Sequence, residues 1–136
     1  REWLDGASIL EALLQPTRIY VKQVTSIMRT LPGAIHSLAH ITGGGISENL
    51  ERALPSDVDA EVNLGSWPEL PIIRFICDAA NLSQEEALKT FNMGLGMILV
   101  VSADEADAVM AHLKDMGEDA HIVGATVAGT GQVAYR

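Results

Sequence analysis

The chain has 136 residues, nine basic and eighteen acidic, for a net charge of −9. That length makes one domain, able to bury roughly two thirds of its unfolded-chain surface without help from metals or disulfides. Singly scattered lysines and arginines exclude a nucleic-acid surface, and the longest strongly apolar stretch, Met97 to Val101, is far too short to span a bilayer.

Arg1-Glu2-Trp3-Leu4-Asp5-Gly6 carries no initiator methionine and reads like the interior of a domain, so the chain is expected to be a fragment. No basic start followed by an apolar run marks a leader, and a cytoplasmic location is expected. From Ile19 to Leu31, Tyr20, Val24, Ile27, Met28 and Leu31 recur at three and four, which predicts an amphipathic helix stopped by Pro32-Gly33. Ala34 to Ile41 reads as a strand running into Thr42-Gly43-Gly44-Gly45. A short helix follows, with Ile46, Leu50 and Leu54 on one face and Pro55 as its stop.

Val58 to Leu64 alternates apolar and polar in strict period two, a strand with one wet face. Trp67-Pro68 is expected to open a helix reaching about Ala80, capped by Asn81. Cys77 lies in that helix; as the single cysteine it has no internal partner and reads as a core residue of a reducing compartment. Ser83-Gln84-Glu85-Glu86 and Ser102-Ala103-Asp104-Glu105 both fit the capping box that starts a helix. Between them Leu95 to Val101 is a continuous apolar run, suited to a strand covered on both faces. The second of those helices should turn Ala106, Val109, Met110 and Leu113 inward and stop at Gly117, and His121–Ala128 with Gln132–Tyr135 should form a hairpin around Gly129-Thr130-Gly131. Strands interleaved with helices predict an α+β layered domain with a mixed sheet.

The glycine loop carries the chemistry. Glycines permit φ > 0 and close approach of a ligand, and free N–H groups at a helix start favour an anion such as phosphate or carboxylate. The lysine of a Walker loop is missing, so the run alone is equally a plain turn. The negative net charge does not oppose a local anion site, because long-range fields are screened within ~10 Å at 0.1 M salt. His36 and His40 do not make a metal site: four residues of strand span ~13 Å, too far for one ion at ~2.1 Å from each nitrogen. Asp104, Glu105 and Asp107 are explained by a helix macrodipole without a metal.

Three blocks, Leu13-Leu14-Gln15-Pro16-Thr17-Arg18-Ile19-Tyr20-Val21-Lys22, Ile35 to Leu50 with its glycine loop, and Phe91-Asn92-Met93-Gly94-Leu95-Gly96-Met97, occur in this order and at this spacing. Together they resemble the C-terminal domain of phosphoribosylformylglycinamidine cyclo-ligase, or AIR synthetase, from about Leu13 onward. The resemblance implies a three-layer α/β/α arrangement with a mixed sheet, incomplete on its N-terminal side, where a strand and helix bearing a Ser-Asn-Gly-Tyr type motif are missing. It implies ATP-dependent ring closure in purine biosynthesis. A formyl amide oxygen is activated by phosphoryl transfer, an internal nitrogen attacks, and an aminoimidazole ribonucleotide forms with ADP and phosphate. ATP and Mg²⁺ would be bound mainly by an N-terminal domain absent from this sequence, which also makes the homodimer contacts; the fragment alone is expected to be inactive.

Within that resemblance His40 matches the His-(Ile/Leu)-Thr-Gly-Gly-Gly pattern. It either hydrogen-bonds a phosphate or shuttles a proton, or its ring simply bonds a neighbouring carbonyl. Thr42 gives its hydroxyl to an anion or caps the loop, and Gly43, Gly44 and Gly45 face the phosphoribosyl substrate. Asn49 either reaches back to the glycine loop or sits on the wet side of its short helix; it matches a Glu-Asn-(Leu/Ile) step and so is expected to shape or line the pocket, while Glu51-Arg52 stands where the family has Pro-Arg. Arg18 clamps a phosphate or pins the helix by a salt bridge. Asn92 bonds backbone or substrate, while Gly94 and Gly96 allow close packing or a ligand's approach. Two other readings remain: a related small-molecule kinase of the same architecture, and a non-catalytic module that binds a phosphorylated ligand or a subunit.

Overall fold

A computed structural model describes Leu4 and residues 6–136. Its elements are α1 (Ile9–Leu13), α2 (Val21–Thr30), β1 (Ile35–His40), α3 (Gly45–Glu51), β2 (Val58–Val62), α4 (Pro71–Ala80), α5 (Gln84–Thr90), β3 (Met97–Val101), α6 (Ala106–Asp115), β4 (Gly124–Ala128) and β5 (Val133–Tyr135). The domain is α+β as expected, with its strands in two ladders: an antiparallel β1-β3 pair and a mixed sheet in the order β4-β2-β5.

The β1-β3 pair lies between two cores. On one side Ala39 and Ile98 join Ile41, Ile46, Leu50, Ala60, Val62 and Leu88, which links β1 and β3 to α3, α5 and β2. On the other, Ile27, Ala34 and Val109 bring α2 and α6 together with Ile35, Leu99 and Val101. A register shift between Ile35 and Ser37 explains how one strand serves both. Ile35 pairs with Val101 toward the α2/α6 side, His36 bulges out, and Ala39 pairs with Ile98 toward the α3 side. Ile27, Ile41, Ile46 and Val62 are the largest fully buried side chains, each stabilising the fold by roughly 1.5–3 kcal/mol relative to exposure.

Several expectations need correction. The segment after Trp67 does not begin a helix; α4 starts at Pro71, in the N-terminal position that suits a residue without an N–H. Trp67 instead donates its Nε1–H to the Met93 carbonyl at 2.9 Å and packs against the larger core. The Ser83/Glu86 capping box forms in full, whereas the one expected at Ser102 does not: α6 begins at Ala106 without a side-chain cap. The Ser102 hydroxyl lies 2.7 Å from Nε2 of the bulged His36, so a long-range partner has taken the hydroxyl that the local cap would use. A further capping box, Ser8 with Glu11, starts α1. The apolar strand β3 is not covered throughout, since Ile98 alone among its residues is fully buried. Cys77 is free and only half-buried, and burial followed by the nearby Asp78 and Glu69 charges pushes its thiol pKa up.

The terminal hairpin is also corrected. β4 and β5 do not pair with each other; β2 lies between them, antiparallel to β4 and parallel to β5. Crossing one strand requires about 9.6 Å, two strand spacings, which the residues between Ala128 and Val133 can reach. The crossing is fastened to β2: Asp59 accepts the N–H of Thr130 at 2.7 Å and of Gln132 at 2.8 Å, and Gly129 N–H donates to the Asp57 carbonyl at 2.9 Å. Those backbone donors hold the Asp59 carboxyl below its ordinary pKa.

Candidate functional site

Three segments far apart in sequence meet at the end of β1. Ile41 N–H donates to the Gly96 carbonyl at 3.0 Å, which ties the glycine loop to the turn before β3. Tyr20, just ahead of α2, covers both. Its ring stands edge-on to His40 with centroids 6.3 Å apart, and its hydroxyl occupies the space over Gly96, where a Cβ would lie 1.9 Å from the oxygen. Any side chain at 96 would have to displace the Tyr20 hydroxyl. The Arg18 guanidinium lies 5.8 Å from the Tyr20 ring centre and forms an ion pair with Glu118 at 2.7 Å.

The loop itself is defined by Asn49, one of the few buried polar side chains, at 6 % exposure. Its amide nitrogen donates to the carbonyls of Thr42 (3.3 Å), Gly43 (3.2 Å) and Gly45 (2.7 Å). All peptide bonds among the described residues are trans, and across a trans peptide the C=O and the following N–H point opposite ways. With the Thr42 and Gly43 carbonyls drawn to Asn49, the N–H groups of Gly43 and Gly44 face away from it, and neither has a partner among the described residues. Two unpartnered donors beside the first turn of α3 can each take an oxyanion's hydrogen bond. Gly45 N–H is used locally, by the Thr42 carbonyl at 3.1 Å.

The three glycines are not equivalent. Gly44 has φ 94° and Gly45 φ 65°, both in the left-handed region that side chains resist. A Cβ at Gly44 would meet the Glu48 carboxylate, and one at Gly45 would meet the Leu88 carbonyl of α5, each at 1.9 Å. Around Gly43 there is open space. Both Thr42 and His40 are exposed, and the His40 ring makes no hydrogen bond among the described residues beyond its contact with Tyr20. Asn92 sits in the adjoining turn, its Oδ1 accepting Gly94 N–H at 3.0 Å, with Met93 at φ 53°. The structure thus gathers His40, Thr42, Gly43, Gly44, Gly45 and Asn49 in one loop, while Arg18 and Asn92 lie at its flanks with protein partners of their own. Tyr20 was legible only as a helix-face residue; the pairing of an aromatic with a glycine 76 positions away is a tertiary fact.

Fold and loop define a layered α+β domain with a glycine-lined loop at a strand end. The chain belongs to the family described as AIR synthase related protein, C-terminal domain, which matches residues 2–136. It is 47% identical over 130 residues to a phosphoribosylformylglycinamidine cyclo-ligase of Brevibacillus brevis, covering 96% of this chain and 37% of that protein. With the enzyme of the same name from Alkaliphilus oremlandii the figures are 42% over 128 residues, 94% and 37%. The chain therefore spans little more than a third of these relatives. Among solved structures, E. coli HypE, a hydrogenase maturation protein, superimposes with a TM-score of 0.66 at 23% identity over 96% of this chain and 42% of its own, a likeness of fold alone.

Proposed function

We propose that this chain is the substrate-facing domain of an AIR synthetase, which closes formylglycinamidine ribonucleotide to aminoimidazole ribonucleotide at the expense of ATP. The observation that carries the reading is the meeting of the three blocks at the end of β1, where Tyr20, Gly96 and Ile41 lock the loop that Asn49 shapes. In this reading the outward N–H groups of Gly43 and Gly44, with the Thr42 hydroxyl, hold the substrate's phosphate. His40, exposed beside them, transfers the proton that ring closure displaces.

Mg²⁺ and the phosphate chain of ATP require converging carboxylates and cations. No three His, Cys, Asp or Glu side chains converge among the described residues, so these residues offer no ready-made all-protein cage for the ion. ATP and Mg²⁺ are assigned to a second domain that also carries the homodimer contacts. The partner of this domain is a small phosphoribosyl metabolite. No helix among the described residues is long and apolar enough to cross a membrane, and a cytoplasmic setting follows from the proposed metabolic role.

The test is an assay of the full-length protein for aminoimidazole ribonucleotide formed from formylglycinamidine ribonucleotide and ATP. Turnover that stops without ATP supports the reading. A folded full-length protein with no such turnover overturns it.

A further inference from the structure

We infer that Arg52 is a positioning residue for the glycine loop, acting through Asn49; as a statement about substrate binding this rests on the function proposed above. The Arg52 guanidinium donates to Asn49 Oδ1 at 2.5 Å. That oxygen is buried with its residue, and no other donor among the described residues reaches it. Arg52 takes part in no ion pair among the described residues, so its charge is committed to a neutral amide rather than to a carboxylate.

The arrangement has a direct consequence for the loop. A carboxamide has one end that donates and one that only accepts. Asn49 must present its nitrogen to three carbonyls, because turning it over would set its oxygen against all three. Arg52, three residues on along the same helical face, supplies the donor that makes the correct orientation complete. Without it the buried oxygen has no partner, a loss larger for a bond to a charged group than for a neutral one. The carbonyls of Thr42 and Gly43 are then free to rotate, and the N–H groups of Gly43 and Gly44 rotate with them because each shares a rigid peptide plane. Arg52 therefore sets where two loop donors point while touching no ligand itself. Both Glu51 and Ala53 beside it point elsewhere: Glu51 accepts from Val133 N–H, and the Ala53 carbonyl accepts from the Ser37 hydroxyl.

The experiment compares Arg52→Met with Arg52→Lys in two formats. In the isotope-labelled full-length protein without substrate, amide spectra should show the Gly43 and Gly44 backbone and Asn49 side-chain signals displaced in Arg52→Met, and largely restored in Arg52→Lys, which keeps a charged donor. In the full-length enzyme, Arg52→Met should raise KM for the phosphoribosyl substrate about tenfold, the scale of one charged hydrogen bond, with kcat altered much less and with Arg52→Lys between the two. Unmoved Gly43, Gly44 and Asn49 signals with an unchanged KM would overturn the inference. So would a loss in kcat and KM that merely follows melting temperature and is equal in both variants. If the wild-type full-length protein does not close the ring, the proposed function fails, and its ligand-free spectra still decide whether Arg52 sets the loop.

Discussion

At the scale of single residues, the loop offers its own control. Gly43→Ala puts a methyl group into open space, so the melting temperature should stay within the scatter of a surface change. If Gly43 N–H and its neighbour hold a phosphate, KM for the phosphoribosyl substrate should rise severalfold all the same. Gly44→Val combines a left-handed backbone with a clash against Glu48 and should cost about 1–3 kcal/mol of stability. A Gly43→Ala variant that is both stable and fully active would remove support for the anion loop. His40→Gln tests the proton-transfer role: the ring is exposed and hydrogen-bonded to nothing among the described residues, so stability should hold while kcat falls about 10²-fold or more.

Asp59 supplies a prediction in pH. Its folded-state pKa is lowered by the N–H groups of Gln132 and Thr130, so its contribution is complete above the ordinary aspartate range and is lost as pH falls below about 4. Melting curves between neutral and acidic pH should show this loss in the wild type and a smaller one in Asp59→Asn, whose amide does not change charge. Equal pH dependence in the two would show that Asp59 does not fasten the crossing.

Among the elements, α5 matters to the site because its Leu88 carbonyl lies where Gly45 has no side chain. Its start is fixed by the reciprocal Ser83/Glu86 box, and Ser83→Ala should destabilise the domain by about 1 kcal/mol, measurable as a lower denaturant midpoint with an unchanged slope. The two capping-box patterns show why identical local signals have different outcomes. Among the described residues the Ser83 hydroxyl bonds only with Glu86 of its own box, whereas Ser102 sits opposite the bulge of β1 and its hydroxyl goes to His36. Trp67-Pro68 likewise reads as a helix start, yet the indole is worth more to the core and to the Met93 carbonyl than to a first helical turn.

For the molecule as a whole, β3 and β4, no less than the other outer strands β1 and β5, keep edges with no strand partner among the described residues. Between β3 and β4 runs an apolar groove of about 420 Å³, lined by Ile98, Leu99, Val100, Ile122, Val123 and Ala125 among others. Open edges beside apolar surface favour strand addition and self-association. The 136-residue chain by itself should bind an apolar dye and associate as its concentration rises, which light scattering would detect; a clean monomer without dye binding would contradict this. Turnover by the same chain alone should be absent, since the function proposed here assigns ATP and Mg²⁺ to a second domain.

What the sequence determined by itself is most of the elements, α1 excepted, and the identity of the loop. Helical and strand periodicity, the Ser83 box, Asn81 in its left-handed cap and the run from His40 to Gly45 are local, and their physical causes lie within a few residues of each position. The family blocks were legible in the same way, as ordered residues at set spacing. Tertiary structure alone decided which edges pair, that β2 parts β4 from β5, and that Tyr20 covers Gly96. It also showed that Asn49 faces inward to hold three carbonyls instead of outward to solvent. These outcomes depend on competition for a partner distant in sequence, and a buried donor or acceptor goes wherever the packed chain brings it a match, which no local pattern encodes.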